Sequence, residues 1–373
     1  MNPILIPFRL GLQQRVLPSY RVPFFDALAA ACRGGLGVFA GKARPGEMIE
    51  AAARLETAVY FPALNRHWLA GPLYACWQSG FVTWLETWQP EALVVEANPR
   101  YLHTPAAVRW MHARRRPVIG WGLGAPGTYG GAFGSLRRKA RQNFLHQFDA
   151  LLVYSRRGAE EYAALGFDPT RIFVAPNAIT PRPHKPPPPR PIPTGPATVL
   201  FVGRLQERKR VDLLLRACAS LPESMRPRLW VVGDGPVRDE LETLAQEVYP
   251  AAQFWGAQYG AQLEQLYDQA DLFVLPGTGG LAVQQAMSFG LPVIVAAGDG
   301  TQSDLVRQAN GWCVPPGELQ ALETTLAAAL ADLPGLRRMG EESFRIVSQE
   351  VNVELMVEAF AGCIRSLGKG REG

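Results

Sequence analysis

Ten prolines fall between positions 176 and 196, at 176, 181, 183, 186, 187, 188, 189, 191, 193 and 196. Proline has no amide hydrogen and a fixed φ, so this stretch is neither helix interior nor central strand. It predicts an extended, stiff linker over residues 181–196, close to the middle of a chain of 373 residues. Two folding units of ordinary domain size follow, 1–180 and 197–350, before a short C-terminal segment. Charge divides near the same place. Residues 1–195 carry 23 Lys and Arg against 11 Asp and Glu, a balance of +12, and residues 196–373 carry 15 against 22, a balance of −7. Parts of opposite sign predict different partners, and the basic part suits an anionic surface or a phosphorylated substrate.

Both flanks of the linker alternate short apolar runs with helical patterns. Ala92–Val95, Val118–Gly120 and Ala150–Val153 precede it; Thr198–Val202, Leu229–Val232, Leu272–Leu275 and Pro292–Val295 follow it. Continuous apolar runs of this length suit strands buried on both faces of a parallel sheet. Helices are predicted over Arg210–Ala219, Val237–Glu247, Gln262–Gln269, Gly280–Phe289 and Glu318–Leu333. The order predicts an α/β chain with two Rossmann-like, doubly wound domains. No run of about 18 apolar residues is present to span a membrane, and residues 1–14 lack a signal-peptide pattern, so a cytoplasmic location is expected. Cys32, Cys76, Cys218, Cys313 and Cys363 form no CxxC pair, and His67, His112, His146 and His184 lack ligand spacing, so no metal site is expected.

In doubly wound sheets ligands bind beyond the carboxyl ends of the strands. After TVLFV comes Gly203-Arg204-Leu205-Gln206-Glu207-Arg208-Lys209, a cationic cluster at the start of a helix. The helix dipole disfavours cations there unless an anion lies between them. Arg204 and Lys209 are therefore candidate diphosphate ligands, against a solvated basic turn. After LWVV comes Gly233-Asp234-Gly235-Pro236, and after LFVL comes Pro276-Gly277-Thr278-Gly279-Gly280-Leu281. The second run opens a helix with free backbone N–H groups, an anion cradle, and Gln285 lies within reach of its start. Each turn alone is a weak signal; their succession is strong.

The segments FVGRLQERKRVDLLLRA, WVVGDGPVRDELETLA, ADLFVLPGTGGLAVQQAMSFGLPVIVA and NGWCVPPG, within residues 196–320, resemble the retaining group 1 glycosyltransferases of the GT-B fold (glycosyltransferase family 4). The first half is similar to a bacterial surface-polysaccharide subgroup through SYRVPFF, ANPRY, WGLG and APNA. The resemblance implies two Rossmann-like domains with an interdomain cleft, the first binding the acceptor and the second a UDP- or GDP-sugar. It implies that residues 351–373 form a final helix returning to the first domain, then a tail. Arg204 and Lys209 would be the catalytic cations on the diphosphate. Gly203, Gly233, Gly256, Gly277, Thr278, Gly279, Gly280, Leu281 and Gln285 would line the nucleotide-sugar site. The family commonly carries two glutamates, eight positions apart, where Gly277 and Gln285 stand, and a histidine where Leu123 stands.

On the acceptor side the candidates are Arg21, Glu96, Asn98, Trp121 and Gly122, with Glu96 following a strand. His103 is read as a surface or helix-start residue. The expected reaction is metal-independent transfer of a sugar, with retention, to a glycan or lipid-linked acceptor. Arg, Lys and a helix N-terminus would stabilise the leaving diphosphate, whose oxygen would help deprotonate the acceptor. No cofactor is expected. Gly134–Phe148 is basic on one side with Leu136, Phe144, Leu145 and Phe148 as apolar members, and predicts peripheral contact with an anionic membrane. The alternatives are a GT-B protein that binds sugar nucleotides without turning them over and, less favoured, a sugar-nucleotide epimerase. A nucleic-acid binder is disfavoured, since no zinc finger, helix-turn-helix or aromatic-rich strand motif is present.

Overall fold

Short apolar runs buried on both faces make two parallel sheets in the computed structural model, which describes residues 6–44, 47, 49–69, 71–125, 134–183, 185–279, 281–298 and 301–368. The chain divides into two compact units, Met1–Ile179 with Val353–Gly373, and Thr180–Asn352.

The first unit contains strands β1 (Leu10–Val16), β2 (Leu36–Gly41), β3 (Val59–Pro62), β4 (Leu64–Trp68), β5 (Ala75–Ser79), β6 (Ala92–Glu96), β7 (Val118–Gly122), β8 (Ala150–Val153) and β9 (Ile172–Val174). Seven form a parallel sheet in the order β3-β2-β1-β6-β7-β8-β9; β4 and β5 form a separate antiparallel hairpin. The chain leaves β1 in one direction and resumes at β6 in the other. The space above the ends of β1 and β6 is therefore the topological switch point. One sheet face packs the helices Val22–Ala30 and Val353–Gly368, and the other packs Phe81–Trp88 and Thr104–His112. Phe360 of the C-terminal helix meets Phe24 and Trp121 edge to face, with ring centroids at 5.0 and 5.1 Å. Such pairs add about 0.5–1.5 kcal/mol beyond the area they bury.

The second unit contains β10 (Thr198–Val202), β11 (Arg228–Val232), β12 (Gln253–Gly256), β13 (Leu272–Leu275), β14 (Val293–Ala296) and β15 (Gly311–Val314), in the order β12-β11-β10-β13-β14-β15 and all parallel. Its switch point lies between β10 and β13. The interiors of these two strands are fully buried, as their unbroken apolar text requires.

Two expectations change. The run read as a linker over 181–196 lies on the second unit, which begins at Thr180. Arg190 donates to the carbonyls of Ala270 and Phe289, and Arg337 donates to the Pro191 carbonyl at 2.9 Å and to Asp271 at 2.6 Å. The helix predicted over Glu318–Leu333 is instead two helices, Leu319–Ala331 and Leu333–Gln349. Asp332 stops the first and caps the second, accepting from the Gly335 amide at 2.8 Å, with Pro334 in the first turn. The basic helix runs Gly134–Leu145; Phe144, Leu145 and Phe148 are buried in the unit's own core and only Leu136 is exposed.

Candidate functional site

Three glycines, Gly203, Gly233 and Gly256, end neighbouring strands β10, β11 and β12 in one row. The Gly203 amide donates to the Val232 carbonyl at 3.0 Å, and the Gly233 amide to the Gly256 carbonyl at 2.8 Å. Gly233 has φ of +136°, and a Cβ there would lie 1.9 Å from the Gly203 carbonyl oxygen. Only glycine fits at Gly233, and the row is half-buried backbone without side chains.

Across the switch point, Lys209 closes onto the loop after β13. It sits in a short 3-10 turn, Glu207–Lys209. Its Cε passes 4.0 Å from where a Cβ on Gly203 would be, and its Nζ donates to the Thr278 carbonyl at 2.7 Å. The Thr278 amide donates back to the Arg208 carbonyl at 2.9 Å, and the Arg208 guanidinium reaches the Thr278 hydroxyl at 3.3 Å. Gly277 and Gly279 make this contact possible. A Cβ at Gly277 would lie 2.1 Å from the Arg208 carbonyl oxygen, and one at Gly279 would lie 2.3 Å from the Lys209 Nζ. Burial, and then the charge of Arg208, lower Lys209 to about 8. A desolvated ammonium has three protons, and Thr278 takes one; the arrangement favours an anion beside it. Arg204 follows Gly203 and is half-buried, as are Leu281 and Gln285 on the helix Leu281–Ser288. Gly280 lies outside the described residues.

Sequence reasoning missed Gln302. It is buried, and its amide donates to the Gly279 carbonyl at 3.3 Å, tying the glycine loop to the helix Thr301–Leu305. A lone Gln after a Gly-rich turn gave no signal of this.

In the first unit the switch point carries Arg15 and Glu96. Glu96 ends β6, half-buried, and accepts from the Arg15 amide, while its own amide donates to the Gln13 side chain at 3.1 Å. Burial raises Glu96 to about 7, against the pull of the Arg15 amide and the charges of Arg15 and Arg21. Arg15 pairs with Glu47 at 2.7 Å. Burial opposes ionisation of Glu47, but its bonds to Arg15 and Arg44 hold it down at about 2. The site thus holds one carboxylate fixed in its charged form and one poised near neutrality, beside the buried Tyr101, whose phenol burial keeps uncharged. Arg15 and Glu47 were absent from the sequence candidates.

Other acceptor-side candidates have structural work. Trp121 is only 2% exposed, packed by Phe24, Phe360 and Tyr154, so it belongs to the core and not to a ligand-facing wall. Arg21 is buried against the same rings and donates to the Asn177 side chain and, at 3.4 Å, to the Ala178 carbonyl. Asn98 shapes the turn after β6, accepting from the Arg100 amide at 3.1 Å. A Cβ on Gly122 would lie 2.5 Å from the Tyr162 hydroxyl. His103 starts a helix but is buried, with its Nδ1 accepting from the Gln78 amide, and burial lowers it to about 4. Among the described residues no three His, Cys, Asp or Glu side chains are grouped to hold a metal ion, and no helix is long and apolar enough to cross a membrane.

Comparison with known proteins supplies a frame for this geometry. Residues 186–345 match the family described as glycosyl transferases group 1, and residues 25–178 match the glycosyl transferase 4-like domain. A GDP-mannose-dependent alpha-mannosyltransferase of Mycobacterium tuberculosis is 38% identical over 131 residues, 34% of this chain and 32% of that protein. The sulfoquinovosyl transferase SQD2 of Arabidopsis thaliana is 36% identical over 141 residues, 36% of this chain and 26% of that protein. The chain thus spans about a third or less of the length of these two relatives. The crystal structure of Anabaena HepE in complex with UDP shares the fold over 96% of this chain and 99% of that one, with a TM-score of 0.71 at 17% identity.

Proposed function

Since the chain belongs to the group 1 glycosyltransferases, we propose that it transfers a sugar, with retention and without a metal, from a nucleoside-diphosphate sugar to a hydroxyl of a glycan or lipid-linked acceptor. The observation that carries this reading is Lys209 bridging the switch point of the second unit to Thr278, beside the bare row Gly203, Gly233 and Gly256. In this reading Lys209 and Arg204 neutralise the diphosphate, and the amides from Gly279 to Leu281 take its oxygens or those of the sugar. Gln285 holds the ribose diol. The bond from the anomeric carbon to the diphosphate breaks and one to the acceptor oxygen forms on the same face. The acceptor proton passes to the departing diphosphate, whose growing charge the two cations and the helix start stabilise. Glu96 orients the acceptor hydroxyl from the first unit.

That the mannosyltransferase is named for GDP-mannose and HepE was crystallised with UDP supports a nucleoside-diphosphate donor and leaves both bases in play. The test is calorimetric titration with UDP-, GDP-, ADP- and dTDP-sugars, followed by NMR of the anomeric configuration in the product. Absence of binding to all four overturns the proposal; an inverted product overturns retention.

A second reading has its own observation. Gly277 lies against the Arg208 carbonyl, leaving no room for a side chain where the family commonly places a glutamate. A protein that binds the donor without transferring it fits this contact, and donor binding with no transfer or hydrolysis would establish it.

A further inference from the structure

The β4–β5 hairpin is amphipathic in the reverse sense. Antiparallel strands on a globular unit ordinarily turn apolar side chains inward and polar ones to water. Here Asn65, His67, Cys76 and Gln78 alternate on the inner side. The Asn65 amide donates to the carbonyls of Arg15 and Lys42 at 2.7 and 2.9 Å, and Gln78 donates to the Gln14 carbonyl at 3.0 Å and accepts from Gln13 at 2.6 Å. On the outer side stand Leu64, Arg66, Trp68 and Trp77, with Arg66 paired across to Trp77. Leu64 is 62% exposed, Trp68 45% and Trp77 38%; at the tip Leu69 and Leu73 are 70% and 72% exposed. A one-residue slip would exchange the two faces, but it would also break the inner hydrogen bonds, so the register is fixed with the apolar side outward. An apolar face built this way marks an interaction surface.

We propose that this face docks the protein on an anionic lipid bilayer. Between Thr57 and Leu85 the only formally charged residue at neutral pH is Arg66, and the next acid is Glu86. Tryptophans beside an arginine suit the headgroup level, where the ring is half solvated and the guanidinium meets phosphate. Leu69 and Leu73 at the tip would enter the acyl boundary, about 5–10 Å deep for elements lying in the interface. Charge argues against a second copy as occupant. A two-fold contact would bring two Arg66 side chains together with no acid on the patch to pair them. The surface is distinct from the helix Gly134–Leu145, and it stands whether or not the donor reading holds.

The experiment is flotation of the full chain with phosphatidylcholine vesicles, with and without phosphatidylglycerol, together with quenching of tryptophan fluorescence by brominated lipid. Wild type should float with the anionic vesicles. The double variant Leu69→Ser/Leu73→Ser should lower partitioning by roughly tenfold or more. Trp68→Phe should remove part of the quenching, and Arg66→Glu should weaken the preference for anionic vesicles, to which the +12 balance of residues 1–195 also contributes. Thermal melts and nucleotide binding of these variants should match wild type, since every changed side chain faces solvent. Three results would overturn the inference: wild type that does not float, a double variant that floats like wild type, or a lipid-free dimer that the double variant splits in light scattering.

Discussion

The Lys209 ammonium donates to the Thr278 carbonyl at 2.7 Å, joining the two loops that flank the switch point of the second sheet. Its stem also passes beside Gly203, so one side chain reaches two of the segments assigned to the donor, the Gly203 turn and the loop after β13. Lys209→Ala and Arg204→Ala are each expected to lower turnover by about 10²-fold or more, the scale of losing one preorganised charge donor. Steady-state kinetics with the donor found by titration measure it; unchanged turnover in both would remove the clamp.

Lys209 also sets a pH dependence. Burial and Arg208 lower it from 10.5 to about 8. An anionic donor binds the charged form, so donor affinity should fall as pH rises through about 8. Titration calorimetry across that range should show the fall in wild type and a flat profile in Lys209→Arg. For the ligand-free protein the sign is opposite. Between about 8 and 10.5 the unfolded chain holds a proton that the folded one has released, so this group's contribution to stability rises with pH.

Restoring the two family carboxylates should give unequal results. A side chain at Gly277 would begin 2.1 Å from the Arg208 carbonyl oxygen and 2.5 Å from the Lys209 Cα. Gly277→Glu is therefore expected to displace the turn that holds Lys209 and to abolish donor binding. Gln285 is a half-buried helix residue, so Gln285→Glu should fold normally and tighten binding through a charge-assisted bond to the ribose, by about tenfold at most. Calorimetry on both variants separates these outcomes.

Glu96 gives a test in the first unit. Its carboxyl is raised from 4.5 to about 7, so the folded state keeps a proton that the unfolded state has lost. Its contribution to stability is complete below 4.5 and is lost as pH rises through about 7. Glu96→Gln should flatten the melting temperature between those values. The same variant should raise the KM for acceptor while leaving donor affinity unchanged.

Trp121→Ala separates core from site. Loss of a buried tryptophan ring should destabilise the protein by about 3–5 kcal/mol, read by urea unfolding, while donor affinity stays at the wild-type value.

Strands β6, β7, β8, β10, β11, β13 and β14 were readable because their interiors are unbroken apolar runs, and Thr198–Val202 and Leu272–Leu275 have the bounds that text predicts; β2, equally apolar and buried, was not named. β1 was not readable, because Gln13, Gln14 and Arg15 interrupt it. Those residues are buried or half-buried for the sake of the polar network that carries Glu96 and Gln78, so the site itself hid the strand that holds it. The hairpin was missed for a related reason, since its apolar alternation faces away from the core. The glycine turns that follow β10, β11 and β13 were legible as turns at strand ends. The contact between Gly277 and the Arg208 carbonyl was not, because it joins segments about 70 positions apart and depends on which strands are neighbours. Trp121 was misplaced because a tryptophan at a strand end carries no mark of the helix, beginning 232 positions later, that covers it.

That helix, Val353–Gly368, supplies Phe360 and Met356 to the core of the first unit, while the whole second unit lies between it and Ile179 in the chain. One body is nested in the sequence of the other. During synthesis the inner body can complete its core while the outer one still waits for its last wall. The outer body must hold an incomplete apolar face until residues 353–368 have been made, and mutations near Phe360 should therefore damage yield in the cell more than their effect on the purified protein indicates.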